Sequence, residues 1–441
     1  MTRPAMDRGT FETFQRSIDP DWIEQALTET KKATTRKRRL PADQVVWLVL
    51  GMALFRDLAI DAVVKTLDLA LFDRHDRPMS GSSVCEARQR LGREPLVWLF
   101  ERCAKKWAVE SADKQRWRGL AVYGVDGTKV RVPDSDVNRR HFGGHASSRG
   151  ESGYPLVRVV TLMALRSHLL LAARFGPYRT SELAYAEKLW PEVPENSIVI
   201  LDRNFLNAPV LLPLQSEVAN RHWLTRAKSN TKHTVVETLG AGDELVELTV
   251  SAEARKKNPD FPKKWRVRVI HYQRPGYRPE RLLTSLLDAK RFPAAEIIAL
   301  YHERWELELG YDELKTEILE REETIRSRSI DGVDQELWGL LLAYNLVRLE
   351  MERVADEAKV LPTRISFIAA FHYIRHALMV AGFLKPGALP KHVRRLREDL
   401  LGLILPERRS ERLFPRAVKI KMSNYPRKRR APLPPSAPVK S

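Results

Sequence analysis

Residues 301–315 read YHERWELELGYDELK, and a helix carrying them puts Tyr301, Arg304, Glu308 and Lys315 on one face. At about 100° per residue, with Tyr301 as zero, Arg304 falls at about 300°, Glu308 at about 340° and Lys315 at about 320°. One carboxylate is thus flanked by two cations and a phenol. Glu303, Glu306, Glu313 and Glu317 fall between roughly 120° and 200° on the same wheel, where they read as the solvated back of an amphipathic helix. A carboxylate on a basic face suits phosphodiester chemistry, offering anionic oxygen to a divalent metal while cations hold phosphate. Taken alone, the helix reads more plainly as one knitted by ion pairs at spacings of three and four.

Two aspartates change that balance. AVYGV (121–125) reads as a buried strand ending in Asp126, after which Gly127 interrupts and 128–132 resumes as a kinked continuation or a tight hairpin. SIVIL (197–201) is a second β-rich run, ending in Asp202. Between them lie strand candidates at 157–163 and 168–175 and a helix at 181–189. The order strand, strand, strand, helix, strand, with acids on the first and fourth strands and a third on a later helix, is the ribonuclease-H-like arrangement. Each Asp alone reads as a turn or cap; with Glu308 they read as a catalytic set.

These stretches resemble a DDE transposase of the IS4 family of bacterial insertion sequences. That family's signature is Tyr, two residues, Arg, three residues, Glu, six residues, Lys, which Tyr301, Arg304, Glu308 and Lys315 match without a gap. GVDGT carries Asp126 and LDRNF carries Asp202 and Arg203 in the family's contexts; LWGLLLAYNLVR (337–348) and the stretch 18–71 are also similar to it. The resemblance implies that Asp126, Asp202 and Glu308 ligate two Mg²⁺ ions about 4 Å apart, with Mn²⁺ able to substitute. It implies that Arg304 and Lys315 hold phosphates near the cut, that Tyr301 hydrogen-bonds or stacks beside it, and that Arg203 and Trp305 meet DNA around it. Terminal inverted repeats and target DNA are the implied partners, and a homodimer on DNA the implied assembly. Relatives that cut the second strand through a DNA hairpin flip a base onto a Trp just before the strand preceding the Glu helix. RPERLLTS (278–285) has no Trp here, which leaves Tyr277 or Trp265 as the platform.

The 441 residues carry a formal net charge of +19, which points to a polyanionic partner bound by counterion release. The longest apolar run, 45–55, is too short to span a bilayer, and MTRPAMDRGTFETF lacks an apolar signal core. The expected location is cytoplasmic, at the nucleoid when DNA is bound, with no membrane partner. Two cysteines without a CxxC pair argue against a zinc site or a disulfide framework.

Five units are expected. Residues 1–112 form a helical DNA-binding domain: Lys31, Lys32, Arg36, Lys37, Arg38 and Arg39 precede Pro41, which opens a buried helix running to about Arg56. Ser83 with Glu86 makes a capping box opening VCEARQRL, a candidate recognition helix that presents Arg88 and Arg90 to a groove. Residues 118–222 are the first part of the ribonuclease-H-like core, 223–290 a β-rich insertion, and 291–350 the rest of the core with the Glu helix. Residues 351–441 are C-terminal helices and a basic, disordered tail. The expected fold class is therefore α/β. The rival functions are a metal-dependent nuclease without strand transfer and a non-catalytic DNA-binding protein derived from a transposase.

Overall fold

The computed structural model describes residues 18–406, apart from 35–37, 68, 70–78, 148–149, 152, 275–276, 320–323 and 382–385. Lys37 and the basic tail lie outside the described residues. The chain opens with helices α1 (Pro20–Glu29), α2 (Ala42–Leu54), α3 (Ile60–Thr66), α4 (Gly81–Leu91) and α5 (Glu94–Lys114). Asp19 caps α1 by accepting from Asp21 N. Residues 45–54 of α2 are all buried, as a helix apolar on every side requires. The capping box is misplaced by one turn: α4 begins at Gly81, and Ser80 rather than Ser83 caps it, accepting from Ser83 N at 3.2 Å.

The central sheet has nine strands: β1 (Ala121–Arg131), β4 (Leu156–Ala164), β5 (Leu170–Pro177), β6 (Ser197–Leu201), β7 (Arg221–Arg226), β8 (Thr234–Gly240), β9 (Asp243–Thr249), β10 (Lys264–Tyr272) and β11 (Glu280–Thr284). A two-stranded hairpin, β2 (Ala146–Ser147) with β3 (Gly150–Glu151), precedes β4. The sheet order is β5-β4-β1-β6-β7-β11-β10-β9-β8. β1 pairs antiparallel with β4 and parallel with β6, which is parallel to β7. Gly127 does not break β1; the strand runs on through Arg131 against β4. Short helices α6 (Asp136–Phe142), α7 (Glu182–Glu187), α8 (Ala208–Leu211) and α9 (Ala252–Lys257) connect the strands.

After the sheet come α10 (Ala294–Tyr301), α11 (Trp305–Asp312), the long α12 (Ile330–Ala358), α13 (Phe367–Ala381) and α14 (Leu389–Leu401). On α13, Phe367, Phe371, Ile374 and Leu378, three and four residues apart along one face, are all buried. No helix among the described residues is long and apolar enough to cross a membrane.

Three of the expected boundaries cut through elements. The division at 112 falls in α5, that at 222 in β7 and that at 350 in α12. The reason is shared packing: one hydrophobic core runs from α1 and α2 through the sheet to α12 and α13. Where α2 crosses α12, a Cβ on Gly339 would meet Val49 Cγ1 at 2.4 Å, so only glycine permits that approach. Arg56 of α2's end bonds Glu336 of α12 at 3.1 Å. The β-rich segment likewise extends the main sheet through β7 and β11, because their edges satisfy one another's backbone groups.

Candidate active site

The parallel register pairs Val125 with Leu201, so Asp126, midway along β1, and Asp202, just past the end of β6, follow next to each other on adjacent strands, about 5 Å apart at the backbone. In both places the acid is the first residue past an apolar β-rich run; β1 continues beyond Asp126, while β6 stops just before Asp202. Asp126 Oδ1 accepts from Gly127 N at 2.8 Å, and Asp202 Oδ1 from Arg203 N at 2.7 Å. Thr225 of β7 fixes the second turn by donating to Asp202 O at 3.0 Å.

The third acid arrives on a helical segment laid across β1 and β4. A Cβ on Gly124 would stand 2.8 Å from Leu307 Cδ1, and one on Gly310 would stand 2.6 Å from Met163 Cε; glycine on both partners lets α11 approach the sheet. Tyr311 seals the contact, its hydroxyl 2.8 Å from Thr161 Oγ1 and donating to Asp126 O. Glu308 sits about one turn before it, its side chain 40% exposed, and accepts from Arg304 Nη2 at 2.8 Å. Arg304 is also within electrostatic reach of Asp126 and Asp202. One guanidinium therefore addresses all three acids.

A fourth carboxylate was not foreseen. Glu182, in the first turn of α7, lies over Gly127 so closely that a Cβ there would fall 2.4 Å from its Oε1. Burial, and after it the neighbouring Glu182 carboxyl, push the Asp126 carboxyl up to about 7, against the Gly127 N–H that favours the anion. The sequence offers only Ser181 as a cap beneath it, a signal for a helix start and not for chemistry.

The segment 301–315 is not one regular helix. A 3₁₀ turn (His302–Arg304) separates α10 from α11, and a π turn (Glu313–Ile318) follows Asp312. The supposed solvated back is an interior seam. Glu303 forms a bidentate pair with Arg166 at 2.7 and 2.9 Å, and Glu306 bonds His168 Nε2 at 3.0 Å. Glu313 is held by Arg348, by His168 Nδ1 at 3.3 Å and by Tyr344 at 3.0 Å. Burial alone would raise Glu313, but Arg348 and His168 outweigh it and hold the carboxyl down at about 2. Periodicity marked these acids as a face; it could not say that β4–β5 and α12 would cover it.

The remaining expected contacts divide. Trp305 is 43% exposed and Arg203 is exposed, while Lys315 is half-buried on the π turn. Tyr301 is only 6% exposed, so its ring is packed into the core and does not present a stacking face. Arg38 and Arg90 come together with Lys31 and Lys32 around a cleft of about 210 Å³ floored by Leu40 and Val45; Arg39 is half-buried nearby. Arg88 is no groove reader: it is buried, donating to Gln335 Oε1 at 3.0 Å and Ser327 Oγ at 3.1 Å. Trp265 is buried against Trp223, with ring centroids 5.1 Å apart, and bonds Gln215; Tyr277 is 42% exposed.

The donor set, all carboxylate oxygen, fits a hard divalent cation. Among the described residues no three His, Cys, Asp or Glu side chains are disposed to hold a metal ion; Glu308 is bonded to Arg304.

Residues 8–101 match the family model described as insertion element 4 transposase N-terminal, and residues 117–346 that described as transposase DDE domain. The chain is 37% identical over 411 residues to transposase InsG for insertion sequence element IS4 of Escherichia coli (strain K12), covering 93% of this chain and 92% of that one. It is 35% identical over 236 residues to putative transposase InsZ of the same organism, covering 53% and 77%. Among solved structures, a piggyBac transposase synaptic complex with hairpin DNA aligns at a TM-score of 0.43 and 12% identity, over 92% of this chain and 88% of that one, too distant a likeness to argue from.

Proposed function

The chain belongs to the IS4-family DDE transposases, and from that premise we propose that it cuts DNA at an insertion sequence's terminal inverted repeats and joins the freed ends to target DNA. The observation that carries the reading is the convergence of Asp126, Asp202 and Glu308 on Arg304, from two adjacent strands and one helix. The strand order β5-β4-β1-β6-β7, antiparallel then parallel about β1, supports a ribonuclease-H-like core. The cleft bearing Lys31, Lys32, Arg38 and Arg90 supports DNA binding by the N-terminal helices.

Asp126, Asp202 and Glu308 would hold Mg²⁺, in two ions, or Mn²⁺ in its place. Bound there, the metal supplies Lewis acidity and lowers the pKa of an attacking water or hydroxyl. The protein's part is positioning: two adjacent strands fix two acids, and α11 sets the third. Arg304, released from Glu308, offers a bidentate fork to a phosphate at the same place, and Lys315 and Arg203 add charge around it. The dry sheet behind Asp126 strengthens each of these interactions.

Replacing Asp126, Asp202 or Glu308 with Ala should lower strand cleavage by at least about 10²-fold, the scale of removing one preorganised charged group, with end binding retained. Cleavage persisting in Glu308→Ala, assayed with Mg²⁺ on a labelled end, would sink the triad. Nicked ends that never join to target DNA would favour the nuclease reading instead.

A further inference from the structure

We propose that Lys129 and Arg158 at the Tyr178 ring, with the adjacent Arg179, form a sequence-independent clamp for DNA phosphates on the sheet face opposite the candidate carboxylates, a few residues along β1 from them. The inference rests on the reading of the protein as a DNA transposase and adds a surface that neither the signature residues nor the N-terminal helices include.

Lys129 follows Asp126 by three residues on β1, roughly 10 Å along a strand or about three base-pair steps of duplex. Its parity puts it on the other face of the sheet, the face from which Glu182 of α7 covers Gly127. Lys129 and Arg158 are direct register partners across β1 and β4. Like charges so placed destabilise a sheet. Both also converge on one ring: Lys129 Nζ lies 5.2 Å and Arg158 Cζ 4.9 Å from the Tyr178 centroid. A single aromatic ring attracts cations but does not neutralise them.

The other bonds in the cluster leave the charge uncompensated too. Arg158 donates to Tyr178 O at 3.2 Å and Arg179 to Arg140 O at 3.2 Å, both backbone carbonyls. The Tyr178 hydroxyl meets His145 Nδ1 at 2.9 Å. Among the described residues no carboxylate pairs with Lys129, Arg140, Arg158 or Arg179; the nearby Asp134 is taken by Arg139 at 2.6 Å. The far half of the same sheet treats its cations differently, matching Lys264 with Glu247 at 2.7 Å and Arg226 with Glu280 at 2.5 Å. Lys129, Arg140 and Arg179 are exposed. An anion supplied from outside would relieve the repulsion that this fold leaves in place, and regularly spaced phosphates near Asp126 are the anion this family's substrate provides. Contacts to phosphate position a duplex without reading it, so the clamp suits DNA that varies from one event to the next, such as flanking or target DNA.

The test uses the full chain and a fluorescent duplex lacking any terminal repeat, titrated by anisotropy over a range of salt. Lys129→Gln/Arg158→Gln should weaken binding about tenfold at low salt and flatten the slope of log affinity against log salt by about 1.8, at about 0.9 per phosphate. Lys129→Arg/Arg158→Lys, which keeps both charges, should bind like the wild type. Arg179→Gln, which leaves the cross-strand pair intact, should flatten the slope by about 0.9 and serves if the double variant fails to fold. Wild-type affinity and slope in folded variants would overturn the clamp and leave the transposase reading standing. A wild-type protein that binds no duplex would overturn both.

Discussion

Arg304 donates from Nη2 to Glu308 Oε1 at 2.8 Å across one helical turn, so the third candidate acid is held by the cation that is also electrostatically coupled to Asp126 and Asp202. The pair is partly exposed, with side-chain exposures of 21% and 40%, and such an i,i+4 pair adds little to stability. Arg304→Ala should therefore cost no more than about 1 kcal/mol of folding free energy while lowering cleavage on the order of 10²-fold. Urea unfolding beside a cleavage assay separates the two. A large loss of stability would show the pair to be a structural brace.

Arg88 makes the opposite case. It ties α4 to Ser327 and Gln335, whose Nε2 returns bonds to Arg88 O at 2.9 Å and Gly92 O at 2.7 Å. Arg88→Ala should destabilise the protein by about 1.5–3 kcal/mol, the scale of lost hydrogen bonds to a charged group, and leave the preference for end over random DNA unchanged. Arg90, exposed beside the basic cleft, should behave in reverse: Arg90→Ala stays within about 0.5 kcal/mol of wild-type stability and weakens DNA binding. Competition binding with end and random duplexes decides it; a lost preference in folded Arg88→Ala would return that residue to the interface.

Glu313 sets an acid limit on the fold. Its carboxyl is held at about 2, down from 4.5, so its stabilising share is fully present above about pH 4.5 and is lost as pH falls through about 2. Glu313→Gln should remove that pH dependence and, by leaving Arg348 buried without its partner, cost about 3–5 kcal/mol near neutral pH. Urea midpoints followed from neutral pH down through this window would show it. Parallel pH curves for variant and wild type would mean that the pair does not hold the carboxyl down.

Second-strand cleavage through a hairpin would need an aromatic surface to offset the unstacking of a flipped base. Trp265 is committed to the sheet's core and Tyr277 is exposed, so Tyr277→Ala should lose hairpinned ends while keeping first-strand nicks on denaturing gels. If the wild type yields only nicked and joined products, no platform is required and the assignment falls.

What the sequence determined by itself is local. Runs such as AVYGV and SIVIL each lead into an acid, and the spacing of Tyr301, Arg304, Glu308 and Lys315 survives in the i,i+4 bond from Arg304 to Glu308. These readings needed only backbone period and polarity. What the sequence left open depended on neighbours that periodicity cannot see. Arg88 and Arg90 look alike as letters, yet one is buried against a residue 247 positions away and the other is exposed. Glu306 looks solvated until His168 meets it, and Glu182 joins Asp126 only because α7 packs over a glycine on β1. Whether a charged side chain is a ligand, a brace or a solvated group is set by desolvation and by what lies opposite, and both are properties of the packed chain.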